Sequence, residues 1–216
     1  MASTAPIGTA RRVNRAILTA TFWFSALALA GLLILLLGLR AGPSGFAGIV
    51  FGISLLLCSL CSYLYNMRED SRWRWLLRYF DHGAIFLLIA GTYTPFVIQG
   101  VEGPFGISFL VWIWGLALVG IALKLLLRGR HDRVFVALYL AMGWLFLSAL
   151  DPFITLNPLS ALVFLIIGGL AYTVGAVIYG RDIGNWTDPV WHGCVLTGSG
   201  THFVAVVLLM VQPAVM

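Results

Sequence analysis

Seven apolar runs, each long enough to cross a bilayer, constrain this chain more than any other feature. They cover about residues 16–39, 45–66, 81–99, 105–127, 134–150, 159–179 and 189–211. The hydrocarbon core of a membrane takes about 20 apolar residues per helix. Inside lipid the backbone must satisfy its own polar groups, so only helices and closed barrels span it. Barrel strands alternate apolar and polar over about ten residues. These runs are continuous and about twice that length, so helices are expected. The predicted class is an all-α integral membrane protein, a seven-transmembrane helix bundle. Seven spans and their connectors use up the 216 residues. One membrane domain is therefore expected over residues 16–211, between an N-terminal tail (1–15) and a C-terminal tail (212–216). Composition agrees: 10% of residues are charged, against about 25% in soluble domains.

The first run follows Arg11, Arg12 and Arg15 and contains Ala28-Leu29-Ala30, which looks like a signal-peptide cleavage site. It continues through Leu37, too long for a cleaved h-region, so a retained helix is expected. Basic residues in short loops set orientation. Twelve fall on one side: three in the N-terminal tail, then Arg68, Arg72, Arg74 and Arg78, then Lys124, Arg128, Arg130 and Arg133, then Arg181. Only Arg40 falls on the other. The N-terminus is expected in the cytoplasm and the C-terminus outside. The formal charge of +5 is thus spread between spans rather than clustered on a soluble face, so nucleic acid is not an expected partner. Membrane lipids are. Arginine dominates lysine, and the chain is rich in Ala, Gly and Leu. That composition suggests a GC-rich bacterial genome, hence the bacterial inner membrane. Cys58, Cys61 and Cys194 all lie in apolar runs. No disulfide framework is readable from them, and small buried residues are the favoured reading.

Ionisable groups at membrane depth are expensive and often functional. Asn66 ends the second run, Asp81 opens the third, and Asp188 and His192 open the seventh. The topology puts all four at the cytoplasmic ends of their helices. Ser62 and Asn66 are spaced i,i+4, as are Asp188 and His192, so each pair shares a helix face. Ser199 falls near the His192 face. His202, ten residues on, lies roughly 15 Å deeper at 1.5 Å per residue. Structural readings compete at every position. Asp188-Pro189 resembles an N-cap followed by proline at N1. Asn66 suits a helix C-cap, and Asp81 suits a helix N-terminus. His82 suits the headgroup layer, His131 a basic loop, and His202 an interhelical hydrogen bond.

Residues 81–96, DHGAIFLLIAGTYTPF, closely resemble the third-helix signature of the haemolysin III family. This family is related to the progestin and adipoQ receptors, in a superfamily that includes alkaline ceramidases. Tyr139–Trp144, Gly168–Tyr179, Trp191-His192 and Gly198–Phe203 fit in order, so the resemblance covers about residues 14–211. It implies seven helices with a cytoplasmic N-terminus. It also implies a zinc site of three histidines, from S-x-x-x-H on the second helix and H-x-x-x-H on the seventh, with an aspartate at the start of the third helix holding the zinc-bound water. Here Ser62, Asp81 and His192 match, while Asn66 and Asp188 stand where the other two histidines would be. The implied metal set is therefore Asn66, Asp188 and His192, with Asp81 and Ser62 in catalytic support. An amide is a weak zinc ligand, so zinc at a weakened site and a metal-free polar cluster are both expected readings.

Three functions follow. One is a membrane-homeostasis or lipid-sensing protein with a polar or metal pocket near the cytoplasmic face and a lipid or fatty-acyl ligand in the bundle. The second is a zinc-dependent intramembrane hydrolase of a lipid amide, ceramidase-like. The third is the pore-forming activity that the family name suggests.

Overall fold

The structure is a computed structural model that describes residues 7–39, 42–100, 103–127 and 131–211. Arg40, Arg128, Arg130 and the 212–216 tail lie outside the described residues. The described residues form eight α-helices: α1 (Ile7–Leu39), α2 (Gly42–Met67), α3 (Arg74–Gly100), α4 (Gly103–Leu126), α5 (Asp132–Gly143), α6 (Leu150–Leu156), α7 (Leu159–Arg181) and α8 (Thr187–Val211). Seven segments are long and apolar enough to cross a membrane, with α5 and the 3₁₀ turn after it acting as one. Among the described residues there is no strand.

Neighbours in sequence are mostly neighbours in space. Helix α2 packs between α1 and α3, α4 lies on α3, α7 pairs with α8, and α8 closes back onto α1. Helix α3 is the axis: 72% of its most apolar window is buried, against 22–44% in the other spans. It is also the least apolar of the seven. In lipid that combination is expected, because polar side chains are tolerated only where other helices shield them. At the α7–α8 contact the backbones approach closely. A Cβ on Gly168 would overlap the His202 ring, and one on Gly198 would stand 2.7 Å from the Tyr172 ring. Small residues are what permit such contacts in membranes, where apolar surface alone gives helices little reason to associate.

Three helix limits differ from the sequence reading, each for a physical reason. Helix α1 begins at Ile7, inside the segment expected to be tail, so Arg11, Asn14 and Arg15 are helical. Arg11 and Arg15 lie 3.7 and 3.6 Å from the Glu69 carboxylate in the α2–α3 connector. Helix α3 begins at Arg74 rather than near Asp81. The fifth span is not one helix. It stops at Gly143, continues as a 3₁₀ turn over Leu145–Ala149, and resumes as the short α6. Backbone groups freed by such a break must find partners in lipid. Tyr93 on α3 supplies them: its hydroxyl donates toward the Met142 and Gly143 carbonyls (3.1 and 2.9 Å) and accepts the Phe146 N–H (2.9 Å).

Candidate functional site

All five residues singled out in the sequence, Ser62, Asn66, Asp81, Asp188 and His192, line one cavity of about 240 Å³ at the arginine-rich end of the bundle. Helix α2 supplies Ser62 and Asn66, α3 supplies Asp81, and α8 supplies Asp188 and His192. The early start of α3 matters here. Asp81 lies almost two turns into that helix and cannot act on its N-terminus, so it forms part of the cavity wall instead. Helix α8 likewise starts at Thr187, which places Asp188 in its first turn rather than at an N-cap before Pro189. Asp182 organises the preceding turn, accepting from the Gly184 N–H and the Thr187 hydroxyl.

His192 is the best-positioned member. It is buried, with 7% of its surface exposed. Its Nδ1 is 2.7 Å from Asn14 Oδ1 on α1, and its Nε2 is 3.4 Å from Ser62 Oγ on α2. A neutral imidazole has one N–H and one lone pair. An amide oxygen can only accept, so Nδ1 carries the proton, and Nε2 faces the Ser62 hydroxyl, which also bonds the Asp81 carboxylate. The second nitrogen of a histidine sets the role of the first in this way. Asn14 did not emerge from the sequence. It sits among three arginines ahead of the first apolar run, and only the extension of α1 to Ile7 brings it to the site. Its one legible signal is an amide placed one turn ahead of Leu18, two ahead of Thr21 and three ahead of Ser25, all buried on the same face.

Asn66 is differently engaged. Its amide nitrogen donates to the Ser62 carbonyl, 2.9 Å away in the last turns of its own helix. Asn66 thus lies within α2, which runs to Met67, and not at a C-cap beyond it. The histidines other than His192 are also accounted for. His202 Nε2 bonds the Leu165 carbonyl on α7 at 3.1 Å and its ring packs on Tyr172, whose hydroxyl bonds Ser199 at 2.9 Å. His131 is exposed, with left-handed backbone (φ 66°) at the start of α5. His82 lines the cavity beside Asp132, with Nδ1 3.8 Å from Oδ1, and its backbone carbonyl accepts from the Tyr139 hydroxyl. Asp132 also accepts from Arg78 and from the buried Lys124 (2.7 Å), whose ammonium lies 4.3 Å from the Phe135 ring centre. These groups fasten α3, α4 and α5 together beside the cavity.

The donor set does not fit zinc. Among the described residues no group of three His, Cys, Asp or Glu converges as a metal would require. Asn66 offers only a neutral amide oxygen, its nitrogen being bonded to the Ser62 carbonyl, so the three implied positions supply one imidazole and one carboxylate where zinc takes three or four good donors. Cys58 is buried and, like Cys61 and Cys194, unpaired.

A second cavity of about 100 Å³ lies beside the first, toward the middle of the bundle. Ile85, Leu88, Val136, Tyr139 and Trp191 line both. Beyond that shared wall the lining is mainly aromatic and aliphatic, including Phe96, Trp144, Phe146 and Phe153.

A seven-span bundle with a polar cavity at its arginine-rich end, fed by Ser and Asp from the second and third spans and His from the seventh, defines a class of membrane protein. The chain belongs to the family described as haemolysin-III related, which matches residues 12–203. It is 36% identical over 163 residues to the Hemolysin-3 homolog of Bacillus subtilis (strain 168), covering 76% of each chain. It is 34% identical to Hemolysin-3 of Bacillus cereus, covering 76% of this chain and 75% of that one. The human monocyte to macrophage differentiation factor is 30% identical over 58% of this chain and 52% of its own length. No solved structure matches. With seven apolar spans and these bacterial relatives, the chain is a multi-pass protein of the inner membrane.

Proposed function

We propose that this protein binds a membrane amphiphile and serves in lipid sensing or membrane homeostasis, with the arginine-rich end in the cytoplasm. The observation that carries the reading is the pair of adjacent cavities that share five lining residues. The polar one suits a headgroup, with Arg74, Asp81 and Asp188 among its lining, and the apolar one suits a chain. Ligand sites are typically concave, mostly apolar and furnished with a few placed polar groups. Both volumes are small beside the roughly 300–1,000 Å³ of typical ligand pockets, which suits one acyl chain rather than two.

Mass spectrometry of lipid retained by the protein in nanodiscs tests this. A single-chain amphiphile is expected at about one per protein. Val136→Trp, which fills the shared wall, is expected to lose it while the fold persists. Equal retention in that variant would place the lipid outside the bundle. A reporter fused to each terminus tests orientation. The zinc-dependent amide hydrolase reading is disfavoured by the donor set described above. The pore reading rests on the printed name of relatives alone, and lysis of erythrocytes by detergent-free protein tests it.

A further inference from the structure

Asn14, His192 and Ser62 stand in a row across α1, α8 and α2, joined by contacts of 2.7 and 3.4 Å. We infer that they form a metal-independent acyl-transfer site acting on carboxylic esters of the amphiphile held in the two cavities. The inference rests on the lipid-binding reading and adds chemistry to it.

The roles follow from the bonding. Asn14 accepts from Nδ1–H and so fixes the ring's tautomer and orientation. Nε2 then faces Ser62 Oγ as a proton acceptor, beside the Asp81 carboxylate that the same hydroxyl also bonds. Nucleophile, base and orienter in that sequence are the recurring arrangement of activated hydroxyls and thiols, and an asparagine orienter serves in the Cys-His-Asn version. The Ser62–His192 distance exceeds the roughly 2.6–3.2 Å of a working contact, as is common before substrate binds. Each group sits on a long helix packed against the other two, which holds the geometry more firmly than a loop would. Ser62 lines the polar cavity, so a bound headgroup reaches it.

The balance closes without a co-reactant other than water. Ser62 Oγ bonds the ester carbonyl carbon and its proton passes to His192 Nε2. The carbon–alkoxide bond breaks and the alkoxide leaves with that proton. Water then attacks the acyl-serine, giving its proton to Nε2, and Ser62 recovers its own as the carboxylic acid departs. The carbonyl oxygen takes up negative charge in a cavity also lined by Arg74 and by the Tyr65 and Tyr179 hydroxyls, which make no hydrogen bond among the described residues. An ester rather than an amide is the substrate class because an alkoxide leaves the tetrahedral adduct more readily than an amine nitrogen, and so asks less of a Ser62–His192 contact of 3.4 Å.

The full chain in nanodiscs, treated with a long-chain alkyl fluorophosphonate and mapped by mass spectrometry, tests the assignment. Ser62 is expected to carry the phosphonyl group, with no change on adding a chelator. Ser62→Ala should abolish labelling there. His192→Gln should slow it by about 10²-fold or more, in the range of general-base contributions. Asn14→Leu should slow it roughly tenfold or more, and Asn14→Asp, whose carboxylate also accepts from Nδ1–H, should restore the rate. That pair carries the decision if His192→Gln does not fold. No label on Ser62 in wild-type protein that retains its lipid overturns the inference and leaves lipid binding standing. Label on Ser62 in protein that retains no lipid does the reverse. A labelling rate indifferent to both His192→Gln and Asn14→Leu also overturns it.

Discussion

The Tyr93 hydroxyl accepts the backbone N–H of Phe146 at 2.9 Å, across 53 residues of sequence. This bond, with those to the Met142 and Gly143 carbonyls, replaces helix bonding at the break in the fifth span. Tyr93→Phe keeps the ring packed against Phe109 and Phe153 but strands these groups in an apolar setting. Each buried, unsatisfied polar group costs about 1–3 kcal/mol. Thermal unfolding in detergent should show a clearly lowered midpoint, and an unchanged one would mean the break is satisfied elsewhere.

Lys124 and Asp132 should respond asymmetrically. Asp132→Asn removes the carboxylate from between Arg78 and the buried Lys124 and leaves the ammonium uncompensated. Breaking a buried pair on one side costs about 3–5 kcal/mol; the low end is expected, because Asp132 is partly exposed. Lys124→Met retains the packing on Phe135 and leaves Asp132 with Arg78, so a much smaller loss is expected. A double-mutant cycle on these two positions, read by unfolding, checks the difference.

The α7–α8 contact should be intolerant of bulk. Gly168→Ala places a methyl group against the His202 ring, which is held by the Leu165 carbonyl and cannot swing away freely. Overpacking of this kind costs about 1–3 kcal/mol. Gly180→Ala, near the end of the same helix and with nothing within 4 Å of the added carbon, should be neutral or slightly stabilising. Matched melts of the two variants test the point.

Metal content should depend on two residues. Elemental analysis of the wild-type chain should find no stoichiometric zinc, because only one imidazole and one carboxylate are well placed. The double variant Asn66→His, Asp188→His supplies two more imidazoles around the same cavity and should bring zinc to about one per chain, in keeping with three-ligand sites. Zinc at that level in the wild type would require donors beyond those assigned.

Much of the architecture was legible because a bilayer imposes one rule on every span: about 20 apolar residues, satisfied internally. Ser62, Asp81, Asp188 and His192 were legible because polar groups at span ends stand out against an apolar background. The break after Gly143 was not, since its compensation comes from Tyr93 on another helix and leaves no mark in the local sequence. Nor was Asn14, because a polar residue among arginines looks like tail until the helix is seen to extend around it. Asn66 was legible by position alone: it stands where a family ligand would, but its amide nitrogen bonds the Ser62 carbonyl and only a neutral amide oxygen remains.

The contact between Asn14 and His192 also joins α1 to α8, 178 residues later in the chain. The site therefore cannot exist on a partly made chain. Until α8 enters the membrane beside α1, Asn14 and Ser62 have no histidine between them, and completion of the site coincides with closure of the bundle. Assembly thus acts as its own licence for function, and an affinity tag fused just ahead of Asn14 belongs among the perturbations of the site rather than among the neutral handles.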